Sequence, residues 1–329
     1  MAQFLLRRFV YALIAIFFIS LLSFAIIQLP PGDYVTDMVN RIRMSGGGNL
    51  DPEIEQNLRE TYGFNQPLLV QYARWITKIV TRGEFGYSFV YKRDAGEMVA
   101  ERLPTTAVMV LGAFLLTWAI ALPLGIYSAV HKHSILDYTA GFIGFFGLAI
   151  PSFILAIFIL YFTYVYFGRA TIGIFSPEFV DAPWSLARLR DLASHMWVPA
   201  LLAAVTGIGA LTQTMRANLL DELNKPYVTT ARAKGLVESR VLWKYPVRHA
   251  LNPFVSTIGW LLPALVAGDV IISIVLNLPT AGSMLYAALL QQDLYVAAGF
   301  ILVLSALTVV GTFVSDLLLA WLDPRIRLA

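Results

Sequence analysis

Residue types able to do chemistry are thinly spread along this 329-residue chain, and their spacing excludes most reactions. Cysteine is absent, so neither a disulfide framework nor a thiolate metal site is available. His131, His133, His195 and His249 do not fall at metal-ligand spacing; His131 and His133 flank Lys132 in a short polar loop and read as solvated. No nucleophile–base constellation is visible. No P-loop ending in Lys-Ser or Lys-Thr is present, so ATP hydrolysis would fall to another chain. Two acids, Asp269 and Asp316, interrupt apolar runs. An ionisable group at membrane depth is costly and marks a candidate substrate or ion path. Asp269, beside Gly268 near the middle of its run, is such a candidate; the rival is a carboxyl bonded to a neighbouring helix. Asp316 sits about six residues, roughly 9 Å, from the inner end of its run, and reads as structural, paired with an arginine near the terminus.

One polar stretch between two apolar runs has the pattern of a docking element: Tyr227-Val228-Thr229-Thr230-Ala231-Arg232-Ala233-Lys234-Gly235-Leu236. Pro226 suits a first helical turn, where its missing N–H costs nothing. Val228 to Lys234 then makes about two turns, and Gly235 is placed to stop them in a left-handed conformation. A second short helix is expected from about Ser239 to Tyr245, before Pro246. Ala231 and Gly235 lie four apart on one face, where small side chains would let another protein approach the backbone. On that reading Ala231→Asp leaves the protein folded and abolishes its activity. Arg232 and Lys234 would meet acidic groups beside that face. The rival is an amphipathic helix lying on anionic lipid.

The elements that position these residues are membrane spans. Hydrophobic residues are 58% and charged residues 14% of the chain, against about a quarter charged in soluble domains. Spans need about 20 apolar residues, and six segments qualify: Phe9–Leu29, Thr105–Ala129, Tyr138–Phe167, Met196–Met215, Leu251–Leu276 and Val296–Leu322. The third is long enough to tilt. The first, preceded by Arg7 and Arg8, is longer than a signal-peptide core and is expected to be retained. The net charge of +3 gives no indication of nucleic acid, because the basic residues sort by membrane side. Arg7, Arg8, Lys132, the seven Lys and Arg between Arg216 and Arg248, Arg325 and Arg327 all fall on one side of a six-span chain. Both termini and the Tyr227–Leu236 loop are then cytoplasmic.

Three parts are expected: 1–29, the N-terminus and first span; 30–103, an extracytoplasmic helical insertion; and 104–329, a five-span core with the cytoplasmic loop at 217–250. In the insertion, Asp51-Pro52-Glu53 starts a helix and Gly63 stops it. A second helix runs from about Pro67 to Val80, with Leu69, Tyr72, Ile76 and Ile79 on one stripe, and ends at Gly83. Ser45-Gly46-Gly47-Gly48 should be mobile. The stripe reads as packing, with contact to a separate extracytoplasmic protein as the alternative. Pro123, Pro151, Pro199 and Pro263 interrupt spans and allow kinks, either fixed bends or gates. Gly141, Gly144, Gly147, Gly207 and Gly209 mark close packing, within this chain or against a partner. No repeat or half-duplication is evident, against an inverted-repeat transporter.

The stretch Tyr-Val-x-Thr-Ala-Arg-Ala-Lys-Gly-Leu at Tyr227–Leu236 resembles the coupling loop of inner-membrane permeases of ATP-binding-cassette importers, in the dipeptide/oligopeptide/nickel family. The resemblance extends over nearly the whole chain. It includes Leu5-Leu6-Arg7-Arg8, Pro31-Gly32-Asp33, Tyr62-Gly63-Phe64-Asn65-Gln66-Pro67 and Gly83-Glu84-Phe85-Gly86-Tyr87-Ser88. Farther along it includes Arg102-Leu103-Pro104-Thr105-Thr106, Ala149-Ile150-Pro151-Ser152-Phe153, Val247-Arg248-His249-Ala250-Leu251-Asn252-Pro253 and Leu322-Asp323-Pro324-Arg325-Ile326-Arg327. Departures are Thr229 at the glutamate position of the wider class, His249 for asparagine, Glu84 for aspartate, Ser273 where a glutamate is frequent, and Leu278-Pro279-Thr280-Ala281-Gly282 in the last outer loop.

The resemblance implies an all-α polytopic protein with the type I importer permease fold, six spans and a helical insertion after the first, in the bacterial inner membrane. It implies the first-permease type, partnered by a second related permease, two ATPase subunits and an extracytoplasmic substrate-binding protein, within membrane lipid. ATP and Mg would sit on the ATPase subunits, with no cofactor on this chain. It assigns ATPase coupling to Tyr227, Thr230, Ala231, Arg232, Ala233, Lys234, Gly235 and Leu236. The candidates for the translocation path are Pro151, Ser152, Asp269 and Ser273. Di- or oligopeptides are the expected cargo, oligosaccharides or another small solute the alternative from the departures. An ion-driven secondary transporter is the alternative class, which calls for several buried acids or a broken-helix ion site.

Overall fold

The structure, a computed structural model, describes residues 2–28, 35–36, 39, 43, 52–62, 65–88, 90–168, 172–256, 258 and 270–322. Several residues singled out in the sequence lie outside this set: Pro31 to Asp33, Ser45 to Gly48, Gly63, Pro263, Asp269 and the segment from Asp323 to Arg327. Among the described residues the architecture is helical, apart from one antiparallel hairpin of two-residue strands, β1 (Tyr87–Ser88) and β2 (Arg93–Asp94). Among those residues four helices are long and apolar enough to cross a membrane: α1 (Ala2–Gln28), α4 (Ala95–Val130), α7 (Leu186–Leu223) and α12 (Leu294–Leu322). The remaining helices are α2 (Pro52–Tyr62), α3 (Leu68–Arg82), α5 (Ile135–Ala149), α6 (Ser152–Phe167), α8 (Pro226–Ala233), α9 (Glu238–Lys244), α10 (Pro246–Ser256) and α11 (Ala281–Leu290).

The expected third span is not one helix. It is the pair α5–α6, bent by 100°. The cause is local. A residue before proline is pushed out of the helical region by the proline ring, and Ile150 is extended at φ −94°, ψ 123°. Pro151 follows at φ −56°, ψ 131° and then starts α6. Pro123 and Pro199, by contrast, stay inside α4 and α7. The expected fifth span is entered by α10 and is helical again at 270–275, with most of the intervening residues outside the described set. Pro246, expected only to end a helix, begins α10.

Contacts divide the chain into two units. The first comprises Met1–Ala12, Pro104–Ser283 and Thr308–Ala329. Its centre is a buried cluster of Ala113, Ala121, Ala129, Leu211, Met215, Leu219, Val247, Ala250 and Phe254, drawn from α4, α7 and α10. In the same unit α5 meets α7 with no side chain between them at Gly144 and Gly209. A Cβ added at Gly144 would lie 3.1 Å from Gly209 Cα, and one added at Gly209 would lie 2.9 Å from Gly144 Cα. On either side, Gly147 abuts Val205 and Gly141 abuts Gln213. The glycines thus serve packing within the chain. Asp316 pairs with Arg8 at 3.1 Å, joining α12 to the start of α1.

The second unit comprises Leu13–Leu103 and Met284–Leu307. Here α3 packs on α1: Ser20 and Tyr72 share a hydroxyl hydrogen bond of 2.7 Å, and Gln28 Nε2 donates to Gln71 Oε1 at 3.1 Å. Phe24 meets the rings of Tyr72 and Trp75. Trp75 is 7% exposed and donates its Nε1–H to Phe85 O at 2.8 Å. Tyr72, Ile76 and Ile79 of the expected stripe are half-buried around Trp75, whereas Leu69 is 79% exposed. The helix stops at Gly83, as expected. The hairpin is tied to the α11–α12 link, where Ser88 Oγ donates to Asp293 and Gln291 donates to Tyr91 Oη.

Candidate functional site

The Tyr227–Leu236 stretch forms a small folded body of its own. Lys225 is extended and Pro226 opens α8, supplying the fixed φ of a first turn. Lys234 caps the helix, and Gly235 follows at φ +71° with nothing within 4 Å of where a Cβ would stand. Glycine is therefore needed here for the left-handed backbone, not for room. The chain then turns into α9, whose first amides, Arg240 N and Val241 N, bond to Val237 O at 2.9 and 3.0 Å. Val228, Ala231 and Val241 form a buried cluster with Tyr227, Leu236 and Tyr245 packed around it.

This cluster fixes which side of α8 looks outward. Ala231 is 6% exposed and points into the cluster, not to an incoming surface. The outward side carries Thr229, Thr230, Arg232, Ala233, Lys234 and Gly235. Thr230 Oγ1 donates back to Pro226 O at 2.9 Å. Arg232 donates to both carboxylate oxygens of Glu238, at 2.6 to 3.2 Å, bridging α8 to α9. That guanidinium holds the Glu238 carboxyl below its ordinary range. Leu236 and Tyr227 are partly buried supports.

Two contacts carry the body onto the long helices. Tyr227 Oη donates to Glu222 near the end of α7, and burial together with that carboxylate pushes the phenol pKa well up. At the other end α10 inserts Val247, Ala250 and Phe254 into the central cluster, with Phe254 edge-on to Trp118 at 4.8 Å.

A third link was not foreseen from the sequence. Arg216 on α7 donates to Asp137 at the start of α5 through two parallel bonds, Nε to Oδ1 at 2.7 Å and Nη2 to Oδ2 at 2.9 Å. The Asp137 side chain is 5% exposed. Its Oδ2 also accepts from His133 N at 3.0 Å, and its own N–H donates to Ser134 Oγ at 3.1 Å. Ser134-x-x-Asp137 before an apolar run has the spacing of a helix-start box and signals the start of α5, but not the partner Arg216.

Pro151 is exposed and Ser152 half-buried at the α5–α6 break. Ser273 is fully buried, and its neighbours Ile272 and Leu276 pack with Ala156, Met109 and Leu202. Asp269 lies outside the described residues.

Long apolar helices with a compact polar loop between them define a polytopic helical membrane protein. The chain belongs to the family described as binding-protein-dependent transport system inner membrane component, which it matches over residues 121–328. Residues 1–110 match the N-terminal part of such membrane components. The chain is 34% identical over 335 residues to the oligopeptide transport system permease protein AppB of Bacillus subtilis, covering 99% of this chain and 100% of that one. A Brucella suis biovar 1 protein, provisionally named a peptide permease, is 30% identical over 328 residues, 99% of each chain. The peptidoglycan transport system permease protein YejB of Agrobacterium fabrum is 28% identical over 364 residues, 99% of this chain and 98% of that one. The protein is thus a multi-pass inner-membrane permease of a binding-protein-dependent importer, a transport subunit and not an enzyme.

Proposed function

We propose that this permease imports di- or oligopeptides and that α8 is the element gripped by a separate ATPase subunit. The observation carrying the coupling role is the folded loop body itself. Its own apolar cluster holds Thr229, Thr230, Arg232, Ala233 and Lys234 outward, while Tyr227 and α10 tie it to the long helices. Force applied to that face reaches α7 and α10 without melting the loop. In this reading the loop and both termini are cytoplasmic, 30–103 is the extracytoplasmic insertion after the first span at 1–29, and 104–329 is the core with its coupling loop at 217–250. The partners are a second related permease, two ATPase subunits that carry ATP and Mg, and an extracytoplasmic binding protein. The path runs past the Pro151-Ser152 break and Ser273, with Asp269 four residues earlier in sequence.

Peptide cargo rests on the names of the Bacillus and Brucella relatives. A glycan-bearing cargo is the second reading, favoured by the Agrobacterium relative's name and by Ser273 and Leu278–Gly282 where the family pattern differs. One experiment addresses both. The complex is purified in mild detergent, assayed for co-purifying subunits and ATPase activity, and reconstituted with its binding protein. Co-purified ATPases, and uptake of labelled peptide displaced by unlabelled peptide but not by oligosaccharide, are expected. A lone chain transporting without ATP would instead support the ion-driven class, and displacement by oligosaccharide the second cargo.

A further inference from the structure

We propose that Asp137 and Arg216 are positioning residues that make α5 travel with α7 when the α8–α10 loop is displaced, so that the Ile150–Pro151 break becomes the joint where the displacement is taken up. This rests on the coupling role proposed for that loop.

Four observations carry it. First, the loop meets α7 near its end through Tyr227 and Glu222, and α7 is unbroken helix from Glu222 back to Arg216. Second, Arg216 grips Asp137 in a two-bond fork on a nearly buried carboxylate. A fork fixes direction as well as distance, unlike a single contact. Third, the fork continues as close helix packing, backbone against backbone at Gly144 and Gly209 and side chain over glycine on either side. Gly141 lies against Gln213, Gly144 against Gly209 and Gly147 against Val205. Surfaces this close interlock and resist sliding. Fourth, α5 ends where Ile150 and Pro151 are both extended, and Pro151 has no N–H to donate. Rotation there breaks no helical ladder, whereas bending α5 or α7 elsewhere would. Among the described residues Asp137 has no hydrogen bond or ion pair to a candidate path residue, and Arg216 lies outside the α8 face; both act through the helices they join.

The chain has no cysteine, which supplies the test. In the reconstituted transporter, Gly141→Cys and Gln213→Cys are introduced together and joined by a short, reductant-cleavable thiol crosslinker. A Cβ at Gly141 stands 3.6 Å from Gln213 Nε2, ordinary contact, so the pair fits the interface. If the helices move as one, crosslinked transporter keeps its uptake rate and its ratio of ATP hydrolysed to substrate moved. Uptake that stops on crosslinking and returns on reduction would overturn the proposal. In parallel, Asp137→Asn should retain co-purifying ATPases and ATP hydrolysis while raising ATP consumed per substrate by about fivefold or more, the lower end of typical coupling. Asp137→Glu should restore much of the native ratio. A native ratio in Asp137→Asn would also overturn the proposal. If Asp137→Asn does not accumulate, the crosslinking arm still decides, because it keeps the native pair. Ala233→Asp separates the underlying reading: if it leaves ATPase binding and uptake intact, the coupling role itself fails; if it releases the ATPases while crosslinking blocks uptake, only the present proposal does.

Discussion

At the scale of single residues, Ala231 and Ala233 divide the two jobs of one helix. They are two positions apart, so they face different sides of α8, and only Ala231 joins the Val228–Val241 cluster. Ala231→Asp would bury a carboxylate there, at a cost of about 2 kcal/mol or more, and is expected to unravel the loop. Ala233→Asp leaves the cluster alone and should affect docking only. Hydrogen exchange at the amides of Arg240 and Val241 distinguishes them: faster in the first variant, unchanged in the second. The Arg232–Glu238 bridge is exposed and contributes no more than about 1 kcal/mol. Its sign with pH is nonetheless defined. Glu238 has a depressed pKa in the fold, so the bridge is fully present above the ordinary carboxylate range and is lost as pH falls through that depressed value. The same amides should therefore lose protection on acidification, and Glu238→Gln should remove that dependence.

At the scale of elements, the close approach of α5 to α7 makes a graded prediction. Gly209→Ala places a methyl 2.9 Å from Gly144 Cα, so the helices must separate, costing about 1–3 kcal/mol. Gly141→Ala meets only the end of Gln213 at 3.6 Å and should be nearly neutral. Thermal unfolding of the detergent-solubilised complex reads the difference; equal melting of the two variants would contradict this packing. These elements also show what was legible in the sequence. The starts at Pro52 and Pro226 and the stops at Gly83 and Gly235 depend on neighbouring residues alone, and they stand within a residue or two of where the pattern put them. The α5–α6 break was only half legible. Pro151 announced a possible kink, but a composition rule sees one apolar run and cannot read a 100° bend. The outward face of α8 was misjudged because α9 and α10, not α8, decide which side is covered. Asp137 and Arg216 are 79 positions apart, beyond the reach of any local pattern.

At the scale of the molecule, the first and last long helices each contribute to both compact units, α1 passing from one to the other at Ala12–Leu13 and α12 at Leu307–Thr308. Within its unit, α3 is bound by Ser20, Phe24 and Gln28 of α1, and the hairpin is bound by Gln291 and Asp293 beside α12. Trp75 stands at the meeting point: its ring faces Phe24 and its N–H holds Phe85 O. Phe85 in turn lies where a Cβ on Gly299 would reach its ring at 3.2 Å, so α12 packs against it directly. Removing the indole therefore loosens α1, the segment leading into the hairpin and α12 together. Trp75→Ala is expected to cost about 3–5 kcal/mol, the range for a buried aromatic. Leu69→Ala, on the same helix but exposed, should stay within about 0.5 kcal/mol. Melting temperature and steady-state level in the membrane measure both. A large loss for Leu69 with little for Trp75 would mean that α3 buries Leu69 in place of Trp75, and that α1 is held to α3 by some other contact.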